Sequence, residues 1–182
     1  MEIQGSDGPH YGTHTDEYGR FRTFATSETE LSWASQQNGD AYTFMNVSYD
    51  YAALDTILLV ENTSETKDLV IHRIFVQGDT ATEFQIQCPI VSFTPTGTAV
   101  TGKNINRRSN NSASATAIAD ETANAQGDII FNGWIVAGAA PFGLPIDGSI
   151  ILGQGNSIGI DYVTDGGEAR VGIVAYYRIP TF

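Results

Sequence analysis

Apolar and polar residues alternate with a period of two along much of this chain, the pattern of half-buried strands. EFQIQCPIV (83–91) is the cleanest case. Phe84, Ile86, Cys88 and Ile90 fall on one side, Glu83, Gln85 and Gln87 on the other. Pro89 cannot donate a ladder bond, so this strand lies at a sheet edge or ends there. DTILLVEN (55–62) is apolar without alternation, as in a strand buried on both faces. Further strands are predicted at 20–24, 41–47, 69–76, 128–136, 149–153, 156–163 and 168–179. In the last, VGIVAYYR, both faces carry apolar residues, which suits a central strand. Asp165-Gly166-Gly167 lies between two strand patterns and predicts a hairpin. SETELSWASQQNGD (27–40) reads as a loop or one helical turn, and AGAAPFGLPIDG (137–148) as a Pro/Gly loop.

No crossover helix is predicted, which excludes parallel βαβ architecture. The reading is an all-β protein, an antiparallel two-sheet sandwich. A single jelly roll is its first form and an immunoglobulin-like sandwich the alternative. Residues 1–19, with almost no aliphatic content, are expected to form an extended N-terminal arm, and residues 20–182 the sandwich domain.

Between two apolar regions lies GKNINRRSNNSASATAIADETANAQG (102–127), about twenty-five residues of Asn, Ser, Ala and Thr. It reads as a disordered linker, a functional loop, or a solvated or covered strand pair. Strand patterns on both sides belong to one sandwich, which argues against a linker, and long free loops are uncommon in compact domains. The expectation is a loop at 104–111 followed by a small-residue strand at about 112–119, which another backbone can approach closely. Arg107 and Arg108 are placed to meet carboxylates of a partner, or of this chain itself.

Composition narrows the function. The formal net charge is -12, with Lys+Arg 9 against Asp+Glu 21, and no basic stripe, so nucleic acid is not an expected partner. Acid excess with only two lysines, Lys67 and Lys103, is one habit of proteins from very salty surroundings. The single cysteine, Cys88, excludes an internal disulfide and reads as a buried core thiol. MEIQGSDGPHYG lacks the basic and apolar regions of a signal peptide, and no apolar run approaches membrane-spanning length. No membrane partner is expected.

Candidate chemistry is sparse. His10 and His14 have a spacing that would share a helix face, but the surrounding arm argues against a helix. His72 sits in a strand, and no cluster of inward His and Glu is in view for a cupin-type metal centre. There is no G-x-S-x-G elbow, and GQGNSIG (153–159) is followed by a strand rather than a phosphate-binding helix N-terminus. Catalytic residues, cofactor and metal are all expected to be none; Asp161 and Asp165 are the loop carboxylates that would hold calcium if one were bound. Sequons at Asn46, Asn62 and Asn110 are matches expected by chance in so Asn/Ser-rich a chain.

Assembly explains two other features better. VAGAAPFGLPI (136–146) is an apolar, uncharged loop in this reading, of the kind that marks a contact surface or folds over the core. The candidate subunit-contact residues are His10, Tyr11 and His14 on the arm, Arg107 and Arg108 in the polar stretch, and Pro141, Phe142 and Leu144 in this loop. A homo-oligomer, with a trimer favoured, is expected.

Two segments carry a resemblance. YGRFRTFATSETELSWASQQNGDAYTF (18–44) and TPTGTAVTGKNINRRSNNSASA (94–115) resemble virion proteins of tailed phages and archaeal tailed viruses. In these, a D-x-x-G-R-like segment leads into a polar stretch and a first long strand, and a P-T-G-T turn precedes an N-x-N-R segment; here those are Pro95 to Thr98 and Asn104 to Arg107. The resemblance implies a non-catalytic jelly-roll structural protein of the virion, made in the host cytoplasm. It would sit at the capsid surface as a decoration or turret component, in contact with other virion proteins such as the major capsid protein. The Lys-poor acidity departs from that group and suits a halophilic host. The rival class is a receptor- or glycan-binding module of a tail or fibre, with Trp33, Tyr49, Tyr51 and Trp134 available to stack on sugars. Core packing is the commoner fate of a Trp in a sandwich.

Overall fold

The computed structural model describes residues 11–15, 21–25, 29–46, 49–50, 55–89, 96–121, 127–164 and 167–180. Strands β1 (Tyr11–Thr15) and β2 (Phe21–Ala25) pair with each other in a two-stranded antiparallel sheet. The boundary expected after residue 19 falls between them, outside the described residues. Helix α1 (Glu30–Trp33) is a single turn that runs on as a π turn over Ala34–Asn38. Thr29 starts it by accepting a hydrogen bond from the Ser32 N–H at 3.2 Å, and Gly39, left-handed at φ 63°, ends it.

The remaining strands in chain order are β3 (Ala41–Met45), β4 (Tyr49–Asp50), β5 (Thr56–Asn62), β6 (Asp68–Gly78), β7 (Thr82–Gln87), β8 (Thr98–Val100), β9 (Lys103–Asn104), β10 (Ala115–Glu121), β11 (Ile129–Ile135), β12 (Phe142–Leu152), β13 (Ser157–Tyr162) and β14 (Glu168–Arg178). They build two antiparallel sheets. One has the order β11-β7-β13-β5-β10-β8, the other β12-β6-β14-β3-β9, with β4 also on β14. The predicted all-β two-sheet sandwich is therefore the fold.

With β1, β2, β4 and β8 to β10 set aside, the other eight strands change sheet at nearly every step: β3 to β5, β5 to β6, β6 to β7, β11 to β12, β12 to β13 and β13 to β14 all cross over. Only β7 and β11, successive in this set, are neighbours in one sheet. This corrects the hairpin expected at Asp165-Gly166-Gly167. β13 pairs with β5 and β7, and β14 with β6 and β3, so the connection passes between sheets. A Gly-rich turn marks a reversal but not which sheet receives the returning strand.

The core lies between the sheets. Phe44, Ile71, Ile74, Phe84, Ile86, Ile158, Ile160 and Ile173 are each 0–1 % exposed, and each such side chain contributes roughly 1.5–3 kcal/mol through burial. β5 is buried at every apolar position, and β14 is central, as their patterns predict. β7 is interior rather than an edge strand, but it does end just before Cys88-Pro89. Cys88 itself is half-buried against the core margin rather than enclosed in it.

Asn62, fully buried at the end of β5, ties two turns together. Its amide donates to the Lys67 carbonyl at 2.9 Å and the Leu152 carbonyl at 2.8 Å, while its Oδ1 accepts from the Ser64 N–H at 3.0 Å. Asn62→Ala leaves all three groups without this partner. It is expected to lower stability by about 2 kcal/mol, read as a lower urea midpoint at unchanged m-value. Asn46 is likewise buried, bonding the Ala169 carbonyl and Val171 N–H of β14. Neither sequon asparagine presents its amide to solvent.

Candidate functional site

The polar stretch that separates β7 from β11 is largely ordered by its own side chains. β8 and β10 widen one sheet beyond β5, and β9 adds to the other beside β3. The small-residue strand expected at 112–119 is β10, and the backbones that approach it are this chain's β5 and β8 rather than a partner's. Ala117 and Ala119 are buried there.

Between β9 and β10, asparagine and serine side chains replace ladder bonds. Asn104 donates to the Gly39 carbonyl at 2.6 Å and Asn106 to the Ser35 carbonyl at 2.8 Å. Ser109 donates to the Gly39 carbonyl at 3.2 Å, and Asn111 to the Asn38 carbonyl at 2.9 Å. The loop is thereby clamped to the helical turn, which explains its Asn and Ser content: short polar side chains reach nearby carbonyls where no strand can. Gly39 is the point of closest approach, and a Cβ there would overlap the Ser109 side chain at a left-handed φ. Gly39→Ala is expected to cost about 1–2 kcal/mol and to expose the 104–114 loop, measured as faster hydrogen exchange of the Ile105 amide, which bonds the Ala41 carbonyl at 2.9 Å. Arg107 and Arg108 lie exposed on the outside of this loop and make no ion pair among the described residues.

The clamp borders a polar groove. A cleft of about 900 Å³ is lined by Glu30, Trp33, Lys67, Asn111, Tyr177 and Arg178, among others, and adjoins a smaller one of about 350 Å³ reaching Tyr42. Asp40 lines both and has both carboxylate oxygens engaged: Lys67 at 2.5 Å on Oδ2 and the Asn111 amide at 2.9 Å on Oδ1. Glu30 accepts from the Tyr176 hydroxyl at 2.5 Å and lies 3.8 Å from Arg178. Tyr42 and Tyr177 meet edge to face, ring centroids 5.7 Å apart, and both rings are buried. Asp40 and Asn104 flank the Tyr42 hydroxyl and the Ser114 backbone flanks that of Tyr177, but no group meets either with hydrogen-bond geometry. Burial, reinforced by Asp40, pushes Tyr42 up to about 12 and raises Tyr177 as well, so both remain protonated donors. Trp33 is 47 % exposed, against the expectation of core packing.

On the opposite edge of the sandwich the structure corrects the loop expected at 136–146. From Phe142 onward this segment is strand: β12 pairs residue by residue with β6 through Phe142↔Val76, Leu144↔Ile74 and Pro145↔Arg73. Pro145 is compatible because β12 is an edge strand, where a missing N–H costs no ladder bond. Pro141 and Phe142 are exposed and Leu144 is half-buried against the core.

β11 and β12 form the terminal strands of the two sheets on the same side, and the core reaches the surface between them. Phe84, wholly buried on β7, contacts both Phe131 of β11 and Phe142 of β12, at centroid distances of 5.9 and 6.3 Å. Phe131 is 38 % and Phe142 50 % exposed. Ile129, Ile130, Trp134 and Val136 are also exposed on or just after β11, with Trp134 opposite Glu83 on the outer face of the sheet while Phe131 and Gly133 lie on the Phe84 side, so the second Trp is also outside the core. From 129 to 146 there is no Asp, Glu, Lys, Arg or His. This is an open apolar seam along two strand edges.

Of the arm residues, His10 lies outside the described residues, and Tyr11 and His14 are described only as backbone of β1. Tyr49 belongs to β4 and is described only as backbone; Tyr51 lies outside the described residues. His72, within β6, sits 3.9 Å from Asp147. Among the described residues no group of three His, Cys, Asp or Glu is arranged to hold a metal. Asp165 is outside them, and Asp161 is not a loop carboxylate but a wholly buried residue of β13. The Gln87 amide donates to Asp161 Oδ2, while Oδ1 has no partner. Burial pushes this carboxyl up to about 7; a hydrogen bond with Thr56 opposes the shift and the Asp55 charge adds to it.

Set against known proteins, the chain matches no family model, no curated protein and no solved structure.

Proposed function

We propose that this protein is a non-catalytic structural component of a virion, a capsid-surface decoration or turret subunit of a tailed virus that assembles with copies of itself. The observation that carries this reading is the uncharged apolar seam of β11 and β12. Unpaired strand edges with exposed aromatic and aliphatic side chains are a liability that monomers blunt with charges, bulges or cover. Here β12 has an irregularity between Pro145 and Ile150, but no charge interrupts 129–146. In a chain of net charge -12, this uncharged edge is where a second copy can approach without facing like charge. At the seam itself the partly exposed rings of Phe131 and Phe142 offer roughly 200 Å² at 150–250 Å² apiece, a centre around which a standard interface of ~800 Å² per partner can close. A cyclic trimer, with three seams converging on one axis, covers both rings and closes the β11 and β12 edges.

The strand order supports a jelly roll as the form of the sandwich. Two groups, β12-β6-β14-β3 and β11-β7-β13-β5, face each other and nearly every connection crosses between them, as in folded-over Greek keys. Viral capsid domains use that architecture, and lectin domains and cupins do too, so the fold alone does not decide the function. The test is a cryo-EM map of host-derived particles. Density for symmetric rings of this domain on the capsid shell is the expected result; its absence from particles that lack no other component would overturn the virion reading.

A further inference from the structure

We infer that the groove between the helical turn and the end of β14 is a binding site for a neutral saccharide. The inference goes beyond the structural role proposed above and does not depend on it. Two independent observations point to a ligand. The first is the pair of tyrosines, Tyr42 and Tyr177, which line the smaller cleft and whose buried hydroxyls meet no partner with hydrogen-bond geometry. Buried donors are almost always satisfied, and an unsatisfied one inside a cleft is a place where a ligand oxygen gains more than in water. The second is Trp33, an indole left half in solvent beside polar side chains. A sugar ring matches both: its C–H face packs on an aromatic ring, and its hydroxyls donate and accept at once.

Charge selects the class. The groove holds Glu30 and Asp40 against Lys67 and Arg178, two of each sign, and they are already paired with each other. The chain as a whole is at -12, so this balance is local. An anionic sugar would have to compete with Asp40 and Glu30 for the two cations, and a cation would meet Lys67 and Arg178. A neutral polyol disturbs neither pair and can still accept from Tyr42 and Tyr177 and donate to the Glu30 carboxylate. The volume, about 900 Å³ with 350 Å³ adjoining, suits a di- to tetrasaccharide.

The experiment is calorimetric titration of the full chain with neutral oligosaccharides of glucose, galactose, mannose and N-acetylglucosamine, alongside sialylated ones. The expected result is saturable binding of at least one neutral member. Trp33→Ala should weaken it at least tenfold at unchanged melting temperature, and Trp33→Phe should restore part of it. No binding by any neutral member up to about 10 mM, a dissociation constant at the weak limit of specific recognition, would overturn the inference. So would binding confined to sialylated sugars, or binding that survives Trp33→Ala. Variants of the distant seam should alter oligomeric state and leave this titration unchanged, so the two readings fail separately.

Discussion

Asp161→Asn is expected to stabilise the protein above neutral pH and to flatten its stability from pH 4 to 8. Asp161 lies wholly buried on β13 with one carboxylate oxygen unpartnered, and burial raises its carboxyl to about 7. In the unfolded chain the same group titrates near 3.9. Between these values the folded state holds a proton that the unfolded state has released. Stability therefore falls as pH rises from about 4 to about 7, and the full penalty persists above that range. The difference corresponds to a cost on the order of 3–4 kcal/mol at pH 8, reduced by relaxation around the site. Asparagine keeps the shape and an acceptor for the Gln87 amide, and removes the ionisation. Melting temperatures of both proteins from pH 4 to 9 decide the matter. The wild type should lose stability across the range while the variant stays level; equal slopes would show that Asp161 does not carry the dependence.

Phe142→Asp is expected to abolish self-association, with the folded subunit retained. Phe142 is half exposed and touches the buried Phe84 ring, so it stands where the core opens on the seam. In an interface its ring would be desolvated at the centre of the patch, the position where single residues carry most of the binding energy. A carboxylate there would be buried three times over around a cyclic axis, or twice across a two-fold, with no cation between 129 and 146 to pair with it. The loss should exceed ~100-fold in dissociation constant, equivalent to about 3 kcal/mol per contact. In the free subunit the new carboxylate faces water, so the melting transition should stay cooperative. Trp134→Ala, at a residue 67 % exposed, removes apolar area without adding charge and should weaken association less.

The fold class was legible because period-two patterning at 83–87 and the two-sided apolar character of β5 and β14 depend on burial alone, and burial is written in side-chain type. Connectivity was less so. The Asp-Gly-Gly sequence at 165–167 signals a reversal in either topology, and only the pairing of β13 with β5 and β7 shows that the chain changes sheets. Pro141 and Pro145 made 136–146 look like a loop, since proline excludes interior strands; at an edge it does not. The groove was hidden for a different reason. Its residues come from positions 30, 33, 40, 67, 111 and 177, six places with no local motif in common. The one available signal was the run of Asn and Ser at 104–114, whose side chains bond the carbonyls of 35–39. The apolar, charge-free character of 136–146 did mark the seam, although its extension into β11 through Phe131 and Trp134 was masked by an ordinary strand pattern.

In the proposed assembly a second copy of this chain covers the seam of β11 and β12. Sedimentation velocity of the purified protein across micromolar concentrations, in buffers of low and high salt, tests it most directly. A discrete species of three subunits, insensitive to dilution and converted to one subunit by Phe142→Asp, is the result the proposed assembly predicts. A wild-type protein that sediments as a single subunit at every concentration and salt would contradict it.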